Sequence, residues 1–370
     1  MNLQSEAFAK NLKERRRELG YTQKELAELI GYSEKSVSKW ESGAVIAPSA
    51  VLPILAKKLG TSIDSLLSEN SDQRYYLGID GGGTKTTFAL ADSDGSVLYK
   101  TTLVGSNPVD IGIERTFEVL ADGIKTVCAS IPYSKISVFA GISGGITGDY
   151  KARIRTFLEN YGFASAENGS DAENAVALAL GRGEGTAVIM GTGSIAFSRH
   201  NGKLVRNGGY GYLFDDGGSG FAIGRDALIA ALNFEEGRGE QTVLLEKLRE
   251  SLGAEKLIDS LGTLYKGGKR TTASFAPIVF SAFKEGDAVA TRIIDENMRA
   301  IARLIENAPR SADGRVRAVL VGGLVKEFRL LLPLIKKHLK DADKYDISAN
   351  TGAPIYGALM LAGAENIKEI

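Results

Sequence analysis

The chain has 370 residues, 44% hydrophobic and 24% charged, which is the composition of a globular protein with two or three domains. Lys plus Arg and Asp plus Glu both number 45, so overall charge excludes a strongly basic nucleic-acid binder and leaves room only for a local site. A single cysteine argues against disulfides, cysteine zinc sites and iron–sulfur clusters, and it favours a reducing cytoplasm. The sequence has no run of roughly 18 apolar residues, so no membrane partner is expected.

The first 68 residues predict a small all-α domain. Apolar residues recur at helical spacing up to Leu19, and Gly20 ends the first predicted helix. Thr22 caps a second helix, with Glu25 as its capping-box partner. A turn at Gly31 joins this helix to the next, which makes a helix-turn-helix. The later predicted helices run from Ser33 to Glu41, from Pro48 to Leu59 and from Ser62 to Leu67.

Four stretches of this segment match a known pattern: Thr22 to Ala27, Gly31 to Ser33, Val37 to Gly43 and Leu55 to Gly60. On these residues the segment resembles the lambda-repressor/Cro (XRE) type of helix-turn-helix domain. The resemblance implies that the third helix enters the major groove of operator DNA. The side chains that it implies in DNA contact are Gln23, on a phosphate, and Ser33, Lys35, Ser36, Ser38 and Lys39, facing outward from the third helix.

The charge of this segment leaves a second interpretation open. Residues 1–70 contain ten Lys or Arg and nine Asp or Glu, which is nearly neutral and weak for unaided DNA binding. Some domains of this fold mediate only protein contacts. DNA binding by a homodimer is the preferred expectation, because one short helix reads few base pairs. Residues 69–74 are polar and without periodicity, and they predict a linker.

The stretch from Tyr75 to Leu90 predicts two strands joined by a glycine-rich turn. Glycines allow a sharp turn whose bare N–H groups point at one spot, which suits a phosphate. A carboxylate beside such a turn would hold the Mg²⁺ that travels with a nucleotide. A tight hairpin turn without a ligand is the alternative. The turn consists of Asp80 followed by Gly81, Gly82, Gly83, Thr84 and Lys85.

The same pattern restarts after residue 182. A predicted strand at 186–190 leads into a second glycine turn, and a predicted strand at 316–321 ends at a glycine pair. Two units that each open with strand, glycine turn and strand suggest an internal duplication. We expect one lobe at 75–182 and another at 183–370, with both turns facing the cleft between them. The turn residues are Gly191, Thr192 and Gly193, and the pair is Gly322 and Gly323.

These motifs, in this order, resemble the two phosphate loops and the adenosine loop of the actin/hexokinase/heat-shock-protein-70 fold, which is ribonuclease H-like. The resemblance implies an all-α helix-turn-helix domain followed by an α/β two-lobed actin-like ATPase or sugar kinase domain. It implies that the three glycine motifs bind ATP and that Asp80 holds Mg²⁺, directly or through water. Helix packing is the alternative role for Gly322 and Gly323.

Within that fold, the chain from Tyr75 to Ala364 resembles the N-acetylglucosamine kinases and the BadF/BadG-type ATPase family. The dehydratase-activator branch needs cysteines for a shared iron–sulfur cluster, and one cysteine counts against it. The ROK sugar kinases share a DxGGTK loop, but many carry a cysteine-rich zinc motif that is absent here. The resemblance rests on Asp80 to Thr86, Ser106-Asn107, Gly141 to Gly145, Ser170 to Ala172, Gly191 to Ser194, Gly208 to Gly211 and Asp216 to Ser219.

Asp171 is the candidate catalytic base, because it lies at a strand end where similar kinases place theirs. It would take the proton from the sugar hydroxyl during phosphoryl transfer. A plain helix N-cap is the competing interpretation, although one residue can do both. Asp149 is an alternative base that fits a helix cap better.

The resemblance implies four substrate contacts. Asn107 offers both a donor and an acceptor to sugar hydroxyls or an acetamido group, and a simple Asn-Pro turn is its alternative. Gly209, Tyr210 and Asp216 lie in a loop that similar kinases close over the sugar. The chain departs from the kinase pattern on both sides of Asp216, where Phe214-Asp215 stands in place of a frequent Gly and Gly217 in place of a frequent Glu, and this departure leaves the identity of the sugar open.

We therefore expect a cytoplasmic, ATP- and Mg²⁺-dependent kinase that phosphorylates the 6-hydroxyl of an N-acetylhexosamine, with N-acetylglucosamine as the first choice, fused to a DNA-binding domain. A sugar-responsive transcriptional regulator with a non-catalytic kinase-like sensor is the alternative. An ATPase that acts on a protein partner is a third possibility. The carboxylates at 80 and 171 favour turnover, since a pure sensor needs no base.

Overall fold

The computed structural model describes residues 3–67, 73–129, 131–310 and 314–368. The described chain forms two compact units, Met1–Asn174 together with Ala358–Ile370, and Ala175–Gly357. The predicted boundaries at 68, 74 and 182 remain predictions, and residues 69–72 of the predicted linker lie outside the described residues. Within the described ranges, no helix is both long and apolar enough to span a membrane.

The described residues up to Leu67 form five helices, as the sequence predicts. The capping box is confirmed, since Thr22 Oγ1 accepts a hydrogen bond from Glu25 N at 3.2 Å and Glu25 Oε2 accepts one from Thr22 N at 2.7 Å. Ser33 caps the third helix, because its hydroxyl oxygen accepts from Ser36 N. The helices are α1 (Leu3–Glu18), α2 (Gln23–Ile30), α3 (Glu34–Glu41), α4 (Leu52–Lys58) and α5 (Ile63–Leu67).

The predicted start of the fourth helix at Pro48 is wrong. Pro48 opens a turn, in which Val51 N donates to Pro48 O at 2.8 Å, and α4 begins only at Leu52. Pro53 then occupies the first turn of α4, where the N–H that proline lacks would have no partner within the helix. The sequence contains two prolines suited to start a helix, and the second one does so.

The helical module has an apolar core that includes Phe8, Leu26 and Trp40. A buried ion pair lies beside this core: Arg16 Nε and Nη2 donate to Glu41 Oε1 and Oε2 at 2.6 and 2.9 Å. The pair joins the end of α3 to the last turn of α1. Removing either member would leave an uncompensated buried charge, so both are needed for this contact.

The first unit contains, in its described residues, a mixed sheet of five strands: β1 (Tyr75–Gly81), β2 (Lys85–Asp92), β3 (Val97–Val104), β4 (Ile136–Ile142) and β5 (Ser165–Gly169). Their order is β3-β2-β1-β4-β5. β1 pairs antiparallel with β2 and parallel with β4. The predicted hairpin is confirmed, and its register runs from Tyr75 opposite Asp92 to Gly81 opposite Thr86.

The second unit contains, in its described residues, a matching sheet: β6 (Gly185–Met190), β7 (Ser194–His200), β8 (Lys203–Asn207), β9 (Val316–Val321) and β10 (Tyr345–Asn350). Its order is β8-β7-β6-β9-β10. β6 pairs antiparallel with β7 and parallel with β9, as β1 does with β2 and β4. The two sheets therefore share one topology, which confirms the predicted internal duplication at the level of strand order.

The sequence pattern predicts no strand where β8 lies. β8 is an edge strand whose side chains are mostly exposed, so it lacks the alternation of apolar and polar residues that identifies a half-buried strand. A local signal is nevertheless present, because Asn201 and Gly202 join β7 to β8 with φ of 50° and 71°. An Asn-Gly pair with positive φ is the preferred two-residue hairpin turn.

The remaining helices connect the strands. α7 (Ile113–Val127) packs against β2 and β3, and α14 (Ala288–Glu306) packs against β6 and β7. For α7 the sequence predicts a helix from about Gly112 to Ser130, and Ser130 lies outside the described residues. The helices are α6 (Pro108–Ile111), α7 (Ile113–Val127), α8 (Tyr150–Glu159), α9 (Asp171–Leu180), α10 (Gly220–Glu235), α11 (Leu244–Leu252), α12 (Leu261–Ala273), α13 (Ala276–Lys284), α14 (Ala288–Glu306), α15 (Phe328–His338) and α16 (Pro354–Ala362).

Candidate active site

The first glycine turn is closed by Gly82 N, which donates to Lys85 O at 2.9 Å. Two neighbouring segments hold its carbonyls: Ser143 N donates to Gly81 O at 2.7 Å, and Ser106 N donates to Gly82 O at 3.1 Å. A Cβ added at Gly81 would lie 2.5 Å from Ser106 Oγ. Gly81 is therefore required for space, and its φ lies outside the positive range.

The far side of this turn is open. Gly83, Thr84 and Lys85 are exposed, while Gly82 is half-buried. With the carbonyls of Gly81 and Gly82 bound on the inner side, exposed backbone groups remain for a ligand. The predicted ATP contacts of Gly81 to Lys85 stay predictions.

Asp80 lies at the end of β1 and is held by Asn174 on α9. Asn174 Nδ2 donates to Asp80 Oδ1 at 2.8 Å and lies 3.3 Å from the carbonyl oxygens of Ile79 and Gly141. A Cβ added at Gly141 would lie 2.2 Å from Asn174 Oδ1, so the fully buried amide fits against glycine alone. Asn174 joins β1, β4 and α9 at the candidate site, and it was not predicted from the sequence.

Asp171 is the first residue of α9 rather than the residue before it. The helix start is completed by its neighbours, since Ser170 N donates to Glu173 Oε1 at 3.0 Å, which is half of a capping box. Asp171 Oδ1 accepts a hydrogen bond from Ala172 N at 3.0 Å, and Ser143 bonds to the same carboxylate. The plain N-cap interpretation of Asp171 therefore does not describe the structure.

Burial shifts the protonation of both carboxylates in the same direction. It raises the pKa of Asp80 to about 6, helped by the nearby charge of Asp171 and opposed by the hydrogen bond from Asn174 and the charge of Lys85. Burial also raises the pKa of Asp171, against the hydrogen bonds from Ala172 N and Ser143. Two interacting carboxylates with raised pKa are typical of a functional site, and a raised pKa makes a carboxylate a better proton acceptor.

Asn107 lies near the first glycine turn and caps a short helix. Its Oδ1 accepts from Val109 N at 3.0 Å, and its Nδ2 donates to Asp110 Oδ2 at 2.8 Å. A Cβ added at Gly144 would lie 2.2 Å from Asn107 Oδ1, which places Asn107 against the turn after β4. In place of a simple Asn-Pro turn, the structure thus has a helix cap at Asn107 followed by α6. Its sugar contact stays a prediction.

The second glycine turn repeats the construction of the first. Gly191 N donates to Gly193 O at 2.9 Å. The start of α10 holds the other carbonyls, because Gly220 N donates to Gly191 O at 2.8 Å and Phe221 N donates to Thr192 O at 3.2 Å. The predicted ATP contacts of Gly191, Thr192 and Gly193 stay predictions, on a turn whose carbonyls α10 holds.

Asp216 is buried against this turn. Its Oδ1 accepts from Ser194 N at 2.7 Å, and its Oδ2 forms an ion pair with Lys269 Nζ at 2.7 Å. Ser194 Oγ donates to Gly217 O at 2.8 Å, which ties the two segments together again. Asp216 thus braces the glycine turn, and its predicted sugar contact stays a prediction. Lys269 was not predicted from the sequence as part of the site.

Asp215, which departs from the kinase pattern, holds the loop before Asp216 in place. Asp215 Oδ2 accepts from Gly209 N at 3.0 Å, and the Arg206 guanidinium lies 5.1 Å from the centre of the Tyr210 ring. Tyr210 itself is 68% exposed and free to meet a ligand. The substrate contacts predicted for Gly209 and Tyr210 stay predictions.

Gly322 and Gly323 differ in their surroundings. Gly322 has a φ of 109°, and a Cβ added there would lie 2.5 Å from Met190 O, one residue before the second glycine turn. A Cβ at Gly323 would meet open space. Backbone packing accounts for Gly322, and the adenosine contact predicted for both residues stays a prediction.

The side chains predicted to contact DNA differ in how free they are. Gln23 Nε2 donates to Glu41 Oε2 at 2.8 Å, so its phosphate contact would compete with this bond. Burial disfavours the ionised form of Glu41, but the bonds from Arg16 and Gln23 outweigh it and lower the pKa of Glu41. The Ser33 and Ser36 hydroxyls bond to each other at 2.8 Å. Exposed side chains on α3 include those of Lys35, Ser38 and Lys39.

Comparison with known proteins identifies the larger part of the chain. The sequence profile of the BadF/BadG/BcrA/BcrD ATPase family matches residues 77–362. The chain belongs to the BadF/BadG/BcrA/BcrD ATPase family. A helix-turn-helix profile matches residues 12–66, ahead of the BadF/BadG/BcrA/BcrD ATPase domain. The two resemblances drawn from the sequence are confirmed.

Three relatives extend the comparison. The chain is 29% identical over 307 residues to the N-acetylmuramic acid/N-acetylglucosamine kinase of Clostridium acetobutylicum, covering 79% of this chain and 99% of that protein. It is 28% identical over 313 residues to the N-acetyl-D-glucosamine kinase of Dictyostelium discoideum, covering 78% and 98%. A crystal structure of an N-acetylglucosamine kinase candidate from Chromobacterium violaceum matches with a TM-score of 0.60 at 24% identity, covering 78% of this chain and 99% of that chain. The predicted two-lobed actin-like sugar kinase fold is confirmed.

Membership of the BadF/BadG/BcrA/BcrD ATPase family carries ATP use with it. Mg²⁺ prefers carboxylate oxygens and keeps several water ligands, and Asp80 offers one carboxylate near the end of β1. In the part of the chain that the structure describes, no group of three or more His, Cys, Asp or Glu side chains could hold a metal ion. The donors fit an ion that takes most of its ligands from phosphate and water, as Mg²⁺ bound to a nucleotide does.

Proposed function

We propose that the protein is an ATP-dependent kinase that transfers phosphate to the 6-hydroxyl of an N-acetylhexosamine, with N-acetylglucosamine as the preferred substrate. The observation that carries the proposal is the half-buried carboxylate pair, Asp80 and Asp171, beside the first glycine turn. Phosphoryl transfer needs a base for the acceptor hydroxyl and positive charge for the phosphates. The names of the Clostridium and Dictyostelium relatives support an amino-sugar acceptor.

Each residue of the pair has its own role in this proposal. Asp171 accepts the hydroxyl proton, and its half-buried position and raised pKa suit that task. Asp80 would hold Mg²⁺, directly or through water, and the ion would neutralise phosphate charge. Asn174 keeps the Asp80 carboxylate in one orientation. The backbone of the two glycine turns would bind phosphate, and Asn107, Gly209, Tyr210 and Asp216 would bind the sugar.

A regulator that only senses sugar is less favoured. A sensor gains nothing from placing two partly desolvated carboxylates together, because their desolvation costs stability and a ligand can be bound without a base. The chain has both acids and both glycine turns, which is what turnover requires.

The first prediction is sugar-dependent ADP release by the full chain. The assay supplies MgATP with N-acetylglucosamine, N-acetylmannosamine, N-acetylmuramic acid, glucosamine or glucose, and the phosphorylated carbon of the product is located by NMR. We expect N-acetylglucosamine to give the highest kcat/KM and a 6-phosphate product. ATP hydrolysis that ignores sugar would favour an ATPase acting on a protein, and sugar binding without ADP release would favour the sensor.

The helix-turn-helix module is proposed to bind operator DNA as part of a homodimer. Its α3 is eight residues long and carries exposed Lys35 and Lys39, enough for a few base and phosphate contacts. Two such helices related by a two-fold axis would read half-sites roughly 34 Å apart. The same arrangement would explain how a nearly neutral module binds DNA, since two weak contacts act together.

The second prediction concerns this module. Selection from a random-sequence duplex library with the full chain should recover an inverted repeat, and Lys39→Ala should weaken binding to it roughly tenfold or more. Lys57→Ala, on α4 outside the helix pair, removes the same charge from another exposed position and should change affinity less than twofold. Failure to enrich any sequence, with the kinase active, would favour a protein-contact role for the module.

A further inference from the structure

Lys269 lies directly against the second glycine turn, although it is distant in sequence. A Cβ added at Gly193 would lie 3.0 Å from Lys269 Nζ and 3.0 Å from Asp216 Oδ1. The Lys269 ammonium and the Asp216 carboxylate are therefore the two groups that lie closest to the place where a side chain at Gly193 would begin. Asp216 also bonds to Ser194 N at 2.7 Å, so its place is fixed by the turn itself.

A break in α12 delivers Lys269 to this position. Gly268 has φ of 57° and ψ of −151°, which lies outside the helical region and is available mainly to glycine. The helix is thus interrupted one residue before Lys269. The local sequence is basic and rich in glycine: Lys266-Gly267-Gly268-Lys269-Arg270. None of the motifs identified from the sequence includes it.

The ion pair is asymmetric in its exposure. The Asp216 side chain is 4% exposed, whereas that of Lys269 is 31% exposed. Asp216 has two fixed partners, Ser194 N and Lys269 Nζ, and Lys269 keeps a solvent-facing side. The ring of Tyr212 lies 5.8 Å from the ammonium and adds only a weak contact. The lysine is therefore the member of the pair whose charge is accessible to a ligand.

The second glycine turn has no positive charge of its own to bind its proposed ligand, a nucleoside triphosphate. The turn offers neutral amides to phosphate, while a nucleoside triphosphate brings several negative charges. An ammonium on a flexible stem binds phosphate as a point charge and gains from each additional phosphate within reach. The Asp216 carboxylate compensates the charge of that ammonium, and the more highly charged nucleotide phosphates would replace it.

We propose that Lys269 binds the nucleotide phosphates at the turn Gly191–Ser194, and that Asp216 holds its ammonium in place when no nucleotide is bound. This inference rests on the proposed nucleotide-binding function. On nucleotide binding the ammonium moves from Asp216 towards phosphate, and the Asp216 carboxylate keeps its bond to Ser194 N. The exchange also leaves Asp216 Oδ2 available to the sugar.

The test compares the affinities of ATP, ADP and adenosine for the full chain by isothermal titration calorimetry in Mg²⁺. In Lys269→Met, the dissociation constant for ATP should rise roughly ten- to a hundredfold, because a charged hydrogen bond is lost. Adenosine should bind within about twofold of wild type, with ADP between the two. Lys266→Met removes an exposed charge three residues away and should leave ATP affinity within twofold.

Asp216→Asn separates phosphate binding from a purely structural brace. The amide keeps an oxygen for Ser194 N and releases Lys269, so ATP should bind as tightly as in wild type or more tightly. If Lys269 served only to hold Asp216, Asp216→Asn would weaken ATP as Lys269→Met does. Equal weakening of ATP and adenosine in Lys269→Met, or no change in ATP, would overturn the inference. Absence of ATP binding in the wild type would instead overturn the proposed function.

Discussion

Asp171→Asn should lower kcat for sugar phosphorylation by roughly 100- to 10,000-fold, which is the usual contribution of a general base. The substitution is isosteric, and its Oδ1 can still accept the bond from Ala172 N that is 3.0 Å long in the wild type. The charge and the proton-accepting ability are lost, while the start of α9 is kept. KM for ATP should therefore stay within about twofold, because the loss falls on the transition state.

The pH dependence of the wild type provides a second measurement of the same role. Burial raises the pKa of Asp171, and the base works only when deprotonated, so kcat should fall as pH decreases through that raised pKa. The matched control is Asp149→Asn, on an exposed residue that precedes α8 without a side-chain cap bond. It should leave kcat within about twofold. If Asp149→Asn abolished turnover and Asp171→Asn did not, the base would be Asp149.

Local chemistry made much of the fold predictable. The hairpin between β1 and β2 follows from an apolar run, a glycine turn and a second β-rich run within sixteen residues of sequence. The capping box of α2 requires only Thr22 and Glu25, three residues apart. Such features depend on neighbours along the chain, so a single sequence contains all the information that they need.

Parts of the site that depend on distant contacts were not predictable in this way. Asn174 meets Asp80 across 94 residues, and Lys269 meets Asp216 after a break in α12. Nothing in the local pattern distinguishes Asn174 from other polar residues of a helix. The spacing Asp171-x-x-Asn174 does place both on one helix face, and that was the available signal.

The glycines of the first turn were predicted for a reason that is only partly right. They were expected because glycine permits sharp turns, yet at Gly81 the requirement is space beside Ser106. The close approach of two segments cannot be predicted from one sequence. A glycine indicates only that the backbone is constrained at that position, by its conformation or by a close neighbour. The same applies to Gly141, whose missing side chain admits Asn174.

Asp80→Asn should make the unliganded protein more stable at pH 7 to 8 while it removes activity. Burial raises the pKa of Asp80 to about 6, from about 4 in an unfolded chain. Between these values the folded protein binds more protons than the unfolded one, so stability falls as pH rises from about 4 to about 6. Above that range the cost of the buried charge is fully present.

The charged Asp80 carboxylate should lower the free energy of unfolding by about 2 kcal/mol at neutral pH. This is slightly less than a shift of about two pKa units would give, because the carboxylate is still partly solvated. Asparagine keeps an oxygen to accept from Asn174 Nδ2 and carries no charge, so the cost disappears. The melting temperature at pH 8 should rise by on the order of a few degrees, and the gain should vanish near pH 4. Asp94→Asn, on an exposed turn residue, should change the melting temperature by less than about 1 °C.

The same variant tests whether Asp80 holds the metal. In the wild type, MgATP should raise the melting temperature more than ATP with EDTA does, since a ligand stabilises the state that binds it. In Asp80→Asn the increment due to Mg²⁺ should be lost, while stabilisation by metal-free ATP remains. A variant that gains stability and still responds fully to Mg²⁺ would leave the burial argument intact and place the ion elsewhere. A variant less stable than wild type at pH 8 would contradict the burial argument itself, because removing a desolvated charge would then have cost stability.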